Sequence, residues 1–383
     1  MTQSAEHPWS DERLDAFRQV GDQAADAVIA HVLDVHDVAT INQMMRSLVR
    51  NVDLPLADLP EIVRDYLDET FMLPMWTRPD LLRRASAFFD LHGPEIVMLL
   101  FAASLPVLYA KQRGAPVLTI TRKLNDATTI ERRIVETGQF LLDVTDSEGF
   151  THSGRGIRTV QKVRLMHAAV RHYIAHDAAW NALWQPEWGV PINQTDLAGT
   201  MLSFSVTVID GLEKAGIRVG QVDKEAYLHL WKLIGHIMGI VPELLPDDYA
   251  SAKTMMTRWM SRDYGTSEAG VFLTKTLRDF MYARVPGRVF DSYTTNWMRY
   301  WLGHDLADAL QVPPHDGGLV LVHLTRGLWA LQGRVRALSP IVEWSTRFLI
   351  RRLLTALIER ERDGKDVHFS IPERLKAQWA VRG

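Results

Sequence analysis

The chain has 383 residues, of which 47% are hydrophobic, and it carries 43 basic and 46 acidic side chains, a net charge of -3 and no cysteine. This length is enough for a large hydrophobic core, and the balanced charge gives no reason to expect a nucleic-acid partner. The lack of cysteine excludes disulfides, thiolate nucleophiles, iron–sulfur clusters held by cysteine and covalently attached c-type haem.

The N-terminal residues Met1–Arg13 are polar and acidic, and they lack the basic and apolar regions of a secretory signal. The longest apolar run, Ile96–Ala110, is shorter than a membrane span and is interrupted by Pro106, so it predicts a buried helix. We therefore expect a protein without a transmembrane segment that is cytoplasmic, the alternative being a chain whose leader has been removed.

Helical periodicity covers most of the chain. Val117–Thr121 and Gly318–Leu324 have the composition of isolated short strands, but strands and helices do not alternate. We therefore expect one all-α domain over residues 1–383, with a charged and less ordered tail over about 363–383. The predicted helices are Glu12–Asp37, Ile41–Val49, Leu59–Asp68, Pro79–His92, Glu95–Leu105, Asn125–Asp143, Ile157–His176, Asn193–Ala215, Lys224–Ile240, Asp248–Ser261, Glu268–Ala283, Thr294–Leu302 and Pro340–Arg362.

The predicted helix Ile157–His176 carries a histidine at the centre of an apolar stripe. Arg164 lies one turn before His167 and Arg171 one turn after it, beside the same stripe. An imidazole in apolar surroundings can ligate a haem iron, and guanidinium groups can pair with haem propionates. A hydrogen-bonded core histidine with two surface arginines would show the same pattern. The stripe consists of Val160, Val163, His167, Val170 and Ile174.

A second histidine-bearing helix offers an alternative ligand. His229 and His236 lie two turns apart on one face, and Gly235 and Gly239 remove side chains from another, so that a helix or a flat ring can approach closely. A tight helix crossing explains the same residues. His236 is therefore the alternative to His167 as an iron ligand.

Other metal and catalytic motifs are absent from the sequence. There is no dinucleotide-binding fingerprint, phosphate loop, zinc-protease motif or nucleophile elbow, and the Glu-x-x-His pairs of di-iron bundles are missing too. His172 and His176 are spaced i, i+4, but without a third ligand nearby they predict a surface pair.

Several segments, taken in order, resemble the rubber oxygenase (latex-clearing protein) catalytic-domain family, which also includes the fungal oxygenase of the mycophenolic acid pathway. The resemblance covers about residues 73–303. One of its segments places Arg133, Glu136 and Thr137 on one helix face, where an isolated motif would predict only a surface salt bridge. The segments are Leu73–Trp76, Ala103–Tyr109, Arg133–Thr137, Gly154–Arg158, Val163–His172, Pro191–Leu197, Leu230–Gly239 and Trp301–Gly303.

The resemblance implies globin-like helix packing around one non-covalent b-type haem. It assigns His167 as the proximal ligand, and Arg133 and Thr137 as hydrogen-bond donors toward dioxygen on the distal side. Glu136 stands where the rubber enzyme has a distal lysine. This departure argues against rubber itself as the substrate, and Glu136 becomes the candidate general acid or base.

The activity implied is a haem-dependent oxygenase that cleaves a carbon–carbon double bond of a hydrophobic small molecule with dioxygen. Hydroxylation or peroxide-driven oxidation at the same centre is the nearest alternative. A haem-binding sensor or carrier, or a structural all-α protein without a cofactor, remains open as well.

Overall fold

The computed structural model describes residues 9–36, 59–120, 128–152, 154–284, 288–314 and 319–336. Within these ranges every regular element is a helix, and the one β contact is an isolated antiparallel bridge between Lys111 and Tyr264. The predicted all-α class is confirmed.

The helices are numbered here in chain order. A π-helical turn, Leu100–Ser104, joins α4 to α5, and the predicted helices Ile41–Val49 and Pro340–Arg362 lie outside the described residues. The helices are α1 Asp11–Arg18, α2 Gln23–Val35, α3 Glu61–Glu69, α4 Pro79–Leu99, α5 Leu105–Tyr109, α6 Pro116–Ile120, α7 Thr128–Val144, α8 Arg155–His176, α9 Ala178–Asn181, α10 Gln194–Lys214, α11 Gln221–Ile237, α12 Tyr249–Asp263, α13 Glu268–Arg284, α14 Arg288–Leu302, α15 His304–Ala309 and α16 Leu319–Arg336.

Three sequence predictions of local structure are wrong. The described residues of both proposed strands are helical, in α6 and at the start of α16, because a short apolar run does not distinguish a buried strand from a helix. The single helix predicted over Glu12–Asp37 is two helices. Asp22 begins the second one by accepting a hydrogen bond from the Ala25 backbone N–H at 3.4 Å, which stabilises a new helix N-terminus.

The core helix α4 bends at His92, where φ is −112° and ψ is 16°, two residues before Pro94. Together with α5 it forms the run Pro79–Tyr109, the one stretch of the described chain that is long and apolar enough to cross a membrane. Within its most apolar window 61% is buried inside the fold, as expected of a core helix.

The long helix α8 lies between two hydrophobic clusters. Near its N-terminus, Ile157 and Val160 join the larger cluster, which includes residues of α4, α10 and α11. Farther along, Leu165 and Ile174 join a second cluster with α2, α3 and α6. Because apolar contacts hold α8 on both sides, the turn that carries His167 has a defined position in the fold.

Candidate functional site

Helices α7 and α8 form an antiparallel hairpin whose register is set near its loop. The hydroxyl of Thr159 donates to Oδ2 of Asp143 at 2.9 Å, and the amide of Gln139 donates to Oδ1 of the same carboxylate at 2.9 Å. Counting away from this contact, His167 lies about 12 Å along α8 and Glu136 about 10 Å along α7. The two segments that the resemblance places on opposite sides of a cofactor therefore lie at the same height.

On α8, the predicted apolar stripe is buried along most of its length. Val160, Val170 and Ile174 are buried, while Val163 and His167 are half-buried. The small buried residues Ala168 and Ala169 follow His167 directly. The imidazole therefore lies on a largely apolar face of α8, at a position that is only half-buried.

On α7, Glu136 and Thr137 are both half-buried, so neither is a fully solvated surface residue. Arg133 belongs to the same helix, but its side chain lies outside the described part of the structure. The distal roles assigned to these three residues stay predictions.

Arg164 makes a buried ion pair with α2. Its Nε and Nη2 donate to the two carboxylate oxygens of Asp22 at 2.5 and 2.8 Å, and its Nη1 donates to the Ile237 carbonyl at 3.1 Å. The predicted pairing of Arg164 with a propionate stays a prediction, but each of its nitrogens already has a protein partner.

Arg171 also contacts α2, but only two of its three guanidinium nitrogens have a hydrogen-bond partner in the described chain. Its Nε donates to Oδ1 of Asp26 at 2.7 Å and its Nη1 to the Ile192 carbonyl at 3.1 Å. Its Nη2 is buried and makes no hydrogen bond within the described chain. A buried guanidinium nitrogen with a spare donor is suited to an anionic oxygen.

The alternative ligand His236 is half-buried on α11. Its ring meets the edge of Trp76, with ring centres 5.7 Å apart, and burial lowers its pKa with a further contribution from Arg164. The His229 ring also meets Trp76 in a T-shaped contact, with ring centres 5.6 Å apart, and its Nε2 accepts a hydrogen bond from the Arg78 backbone N–H at 2.9 Å. His229 is therefore committed to the fold, whereas His236 stays the second choice as a ligand.

The pair His172 and His176 is stacked, with ring centres 4.1 Å apart, and Nδ1 of His176 lies 2.8 Å from the His172 carbonyl. His176 is exposed and His172 half-buried. Among the described residues, no three His, Cys, Asp or Glu side chains are grouped so that they could hold a metal ion.

Sequence reasoning missed the residues that surround Arg164 and Arg171. Asp22 and Asp26 are one turn apart on α2, and this i, i+4 carboxylate pair was the available signal. Gln194 and the backbone of Gly239 complete the same region, and the Gln194 amide donates one hydrogen bond to the Gly239 carbonyl at 3.0 Å. The sequence singled out Gly239 as a point of close approach, but nothing in it indicates which side chains of α2 and α8 approach there.

The donor set fits a haem better than a free metal ion. A haem iron needs a single imidazole from the protein, and the half-buried His167 in its apolar stripe meets that need. The spare buried donor of Arg171 fits a carboxylate of the same group.

Comparisons with known proteins identify the family of this chain. Residues 89–333 match the family described as ER-bound oxygenase mpaB/B'/Rubber oxygenase, catalytic domain. The chain is 25% identical over 362 residues to the rubber oxygenase of Streptomyces sp. strain K30, covering 92% of this chain and 86% of that protein. It also shares the fold of latex clearing protein LCP in the closed state, with a TM-score of 0.73, 24% identity, and coverage of 88% of this chain and 91% of that one. The chain therefore belongs to the mpaB and rubber oxygenase catalytic-domain family, a family of oxygenases.

Proposed function

We propose that this protein is an oxygenase dependent on b-type haem that cleaves a carbon–carbon double bond of a hydrophobic small molecule with dioxygen. The observation that supports this most is the position of His167, in an apolar stripe of α8 and level with Glu136 and Thr137 of α7. Membership of an oxygenase family supports the reaction class.

His167 would hold the iron, with His236 as the alternative ligand, and Arg171 would pair with one propionate through its spare donor. Arg164 is the predicted partner of the other propionate, but a propionate there must displace Asp22. When bound, the haem supplies an iron centre that activates dioxygen.

The protein side chains supply orientation and a proton. The carboxylate of Glu136 can take up or release a proton at its oxygens, and the hydroxyl of Thr137, with Arg133, can donate hydrogen bonds to developing negative charge. The apolar stripe on α8 excludes water and favours a lipophilic substrate. In the net reaction an alkene and dioxygen give two carbonyl fragments, so the atoms balance without a further reductant.

The substrate class is an isoprenoid or another lipophilic alkene. The printed name of the Streptomyces relative specifies rubber, but this chain has Glu136 where the resemblance places a lysine. If Arg133 pairs with Glu136, as their helical spacing predicts, the carboxylate would be a poor iron ligand and would be kept for proton transfer.

The experiment is to reconstitute the purified protein with hemin, record its absorption spectrum, and measure oxygen consumption and products on a panel of isoprenoid alkenes. A haem spectrum with paired carbonyl products supports the proposal. Hydroxylated products would identify the hydroxylase alternative, and a haem protein that consumes no oxygen would be a sensor or carrier. Failure to take up hemin contradicts the proposal.

A further inference from the structure

The turn of α8 before His167 is held by a buried ion pair with α2. Arg164 and Asp22 bond through two parallel hydrogen bonds, and their side chains are only 11% and 4% exposed. Nη1 of Arg164 reaches the Ile237 carbonyl at the end of α11. A bidentate pair fixes both the distance and the orientation of the guanidinium plane.

The end of α11 is shaped to admit this pair. Gly239 has φ +87°, and a Cβ on it would lie 2.5 Å from Oδ2 of Asp22 and 2.7 Å from Nε of Arg164. These separations are shorter than real Cβ contacts. A bare backbone at this position is therefore what lets the ion pair sit against α11.

Gln194 ties the same segments together from the other side. Its Nε2 donates to the carbonyls of Gly21 and Gly239 at 2.8 and 3.0 Å, and its Oε1 accepts from the Val241 backbone N–H at 2.9 Å. Gln194 is buried. The two partners of Arg164, on α2 and at the end of α11, are thus fixed relative to each other.

We infer that Asp22 is a positioning residue for the His167 site, an inference that rests on the proposed function. Because Arg164 cannot leave its bidentate geometry without exposing a buried charge, α8 is prevented from rotating about its axis. His167 lies one turn farther along the same side of α8. The ion pair between Arg164 and Asp22 therefore also fixes the direction in which the His167 imidazole points. In this inference Arg164 holds α8, the helix that carries His167, in place, and Arg171 is the arginine that pairs with a haem propionate.

The test compares Asp22→Asn and Arg164→Lys with the wild-type protein, all reconstituted with hemin. Arg164→Lys keeps the charge but loses the bidentate geometry. The readouts are the iron–imidazole stretching band of the ferrous protein in resonance Raman spectra and the rate of haem transfer to an acceptor protein. We expect a shifted band and transfer about 10–100-fold faster in both variants.

Asp263→Asn is the matched control, because it breaks a buried pair with Arg18 at 2.6 Å, with side chains 3% and 2% exposed, on α12 rather than α8. Asp263→Asn should lower the thermal stability of the haem-free protein about as much as Asp22→Asn does. It should leave the iron–imidazole stretching band and the rate of haem transfer unchanged. A wild-type band and rate in Arg164→Lys overturn the inference, and this variant alone decides if Asp22→Asn does not fold. The absence of the band from the wild-type protein instead refutes the proposed function, and the inference with it.

Discussion

Asp26 accepts a hydrogen bond from Nε of Arg171 at 2.7 Å, while Nη2 of the same guanidinium is buried without a hydrogen bond in the described structure. Burial raises the pKa of the Asp26 carboxyl above its ordinary value, although Arg171 opposes this. Arg171 therefore has a carboxylate partner at Nε and a second nitrogen whose hydrogen-bonding capacity is unused in the described structure.

Replacing Arg171 by leucine should weaken haem binding by about one to two orders of magnitude, because a charge-assisted pair contributes about 1.5–3 kcal/mol. Hemin titration measures this. Asp26→Asn is the control, since it removes the competing carboxylate and should leave haem affinity equal or higher. If Asp26→Asn weakens binding as much as Arg171→Leu, Arg171 serves only to hold α2 on α8.

Replacing His167 by alanine should give a folded protein that takes up little haem, because its ligand is gone. Exogenous imidazole should restore part of the haem spectrum by filling the vacated position. His236→Ala should retain a wild-type spectrum. The opposite result, with haem lost only in His236→Ala, would transfer the ligand role to α11.

Glu136→Gln keeps the shape of the side chain but removes its acid–base function, so turnover should fall by about 10²–10⁴-fold while haem content persists. Thr137→Val should cost less, since one donor among several is lost. Product formation per bound haem is the measurement. Wild-type turnover in Glu136→Gln would rule out proton transfer by this residue.

The pKa of His229 is lowered from 6.5 to about 4 by burial, with smaller contributions from Lys232 and Arg78. Between these values the unfolded chain binds a proton that the folded chain does not, so the free energy of unfolding should fall as the pH drops from about 6.5 to 4. His229→Gln retains an acceptor for the Arg78 N–H and should flatten this dependence. Urea unfolding across this range tests it, and equal slopes in both proteins would contradict it.

The sequence was sufficient to identify the helical class and the face of α8 that carries His167. The class and the face both follow from the spacing of apolar residues at a period of 3.6, which can be read from neighbouring positions in the sequence. The same logic placed Glu136 and Thr137 together on α7. It failed at Val117–Thr121, where the run was too short for its period to separate helix from strand.

Only the tertiary structure shows which residue pairs with Arg164, one helical turn before His167. Asp22 and Arg164 are 142 residues apart in sequence, and neither residue's local pattern indicates the other. Their pairing depends on how α2 packs against α8 and on a glycine at the end of α11, so it arises from long-range packing and not from helix periodicity. The sequence of one helix was therefore enough to identify His167 as a candidate ligand. The residues proposed to orient it come from segments that are distant in the chain.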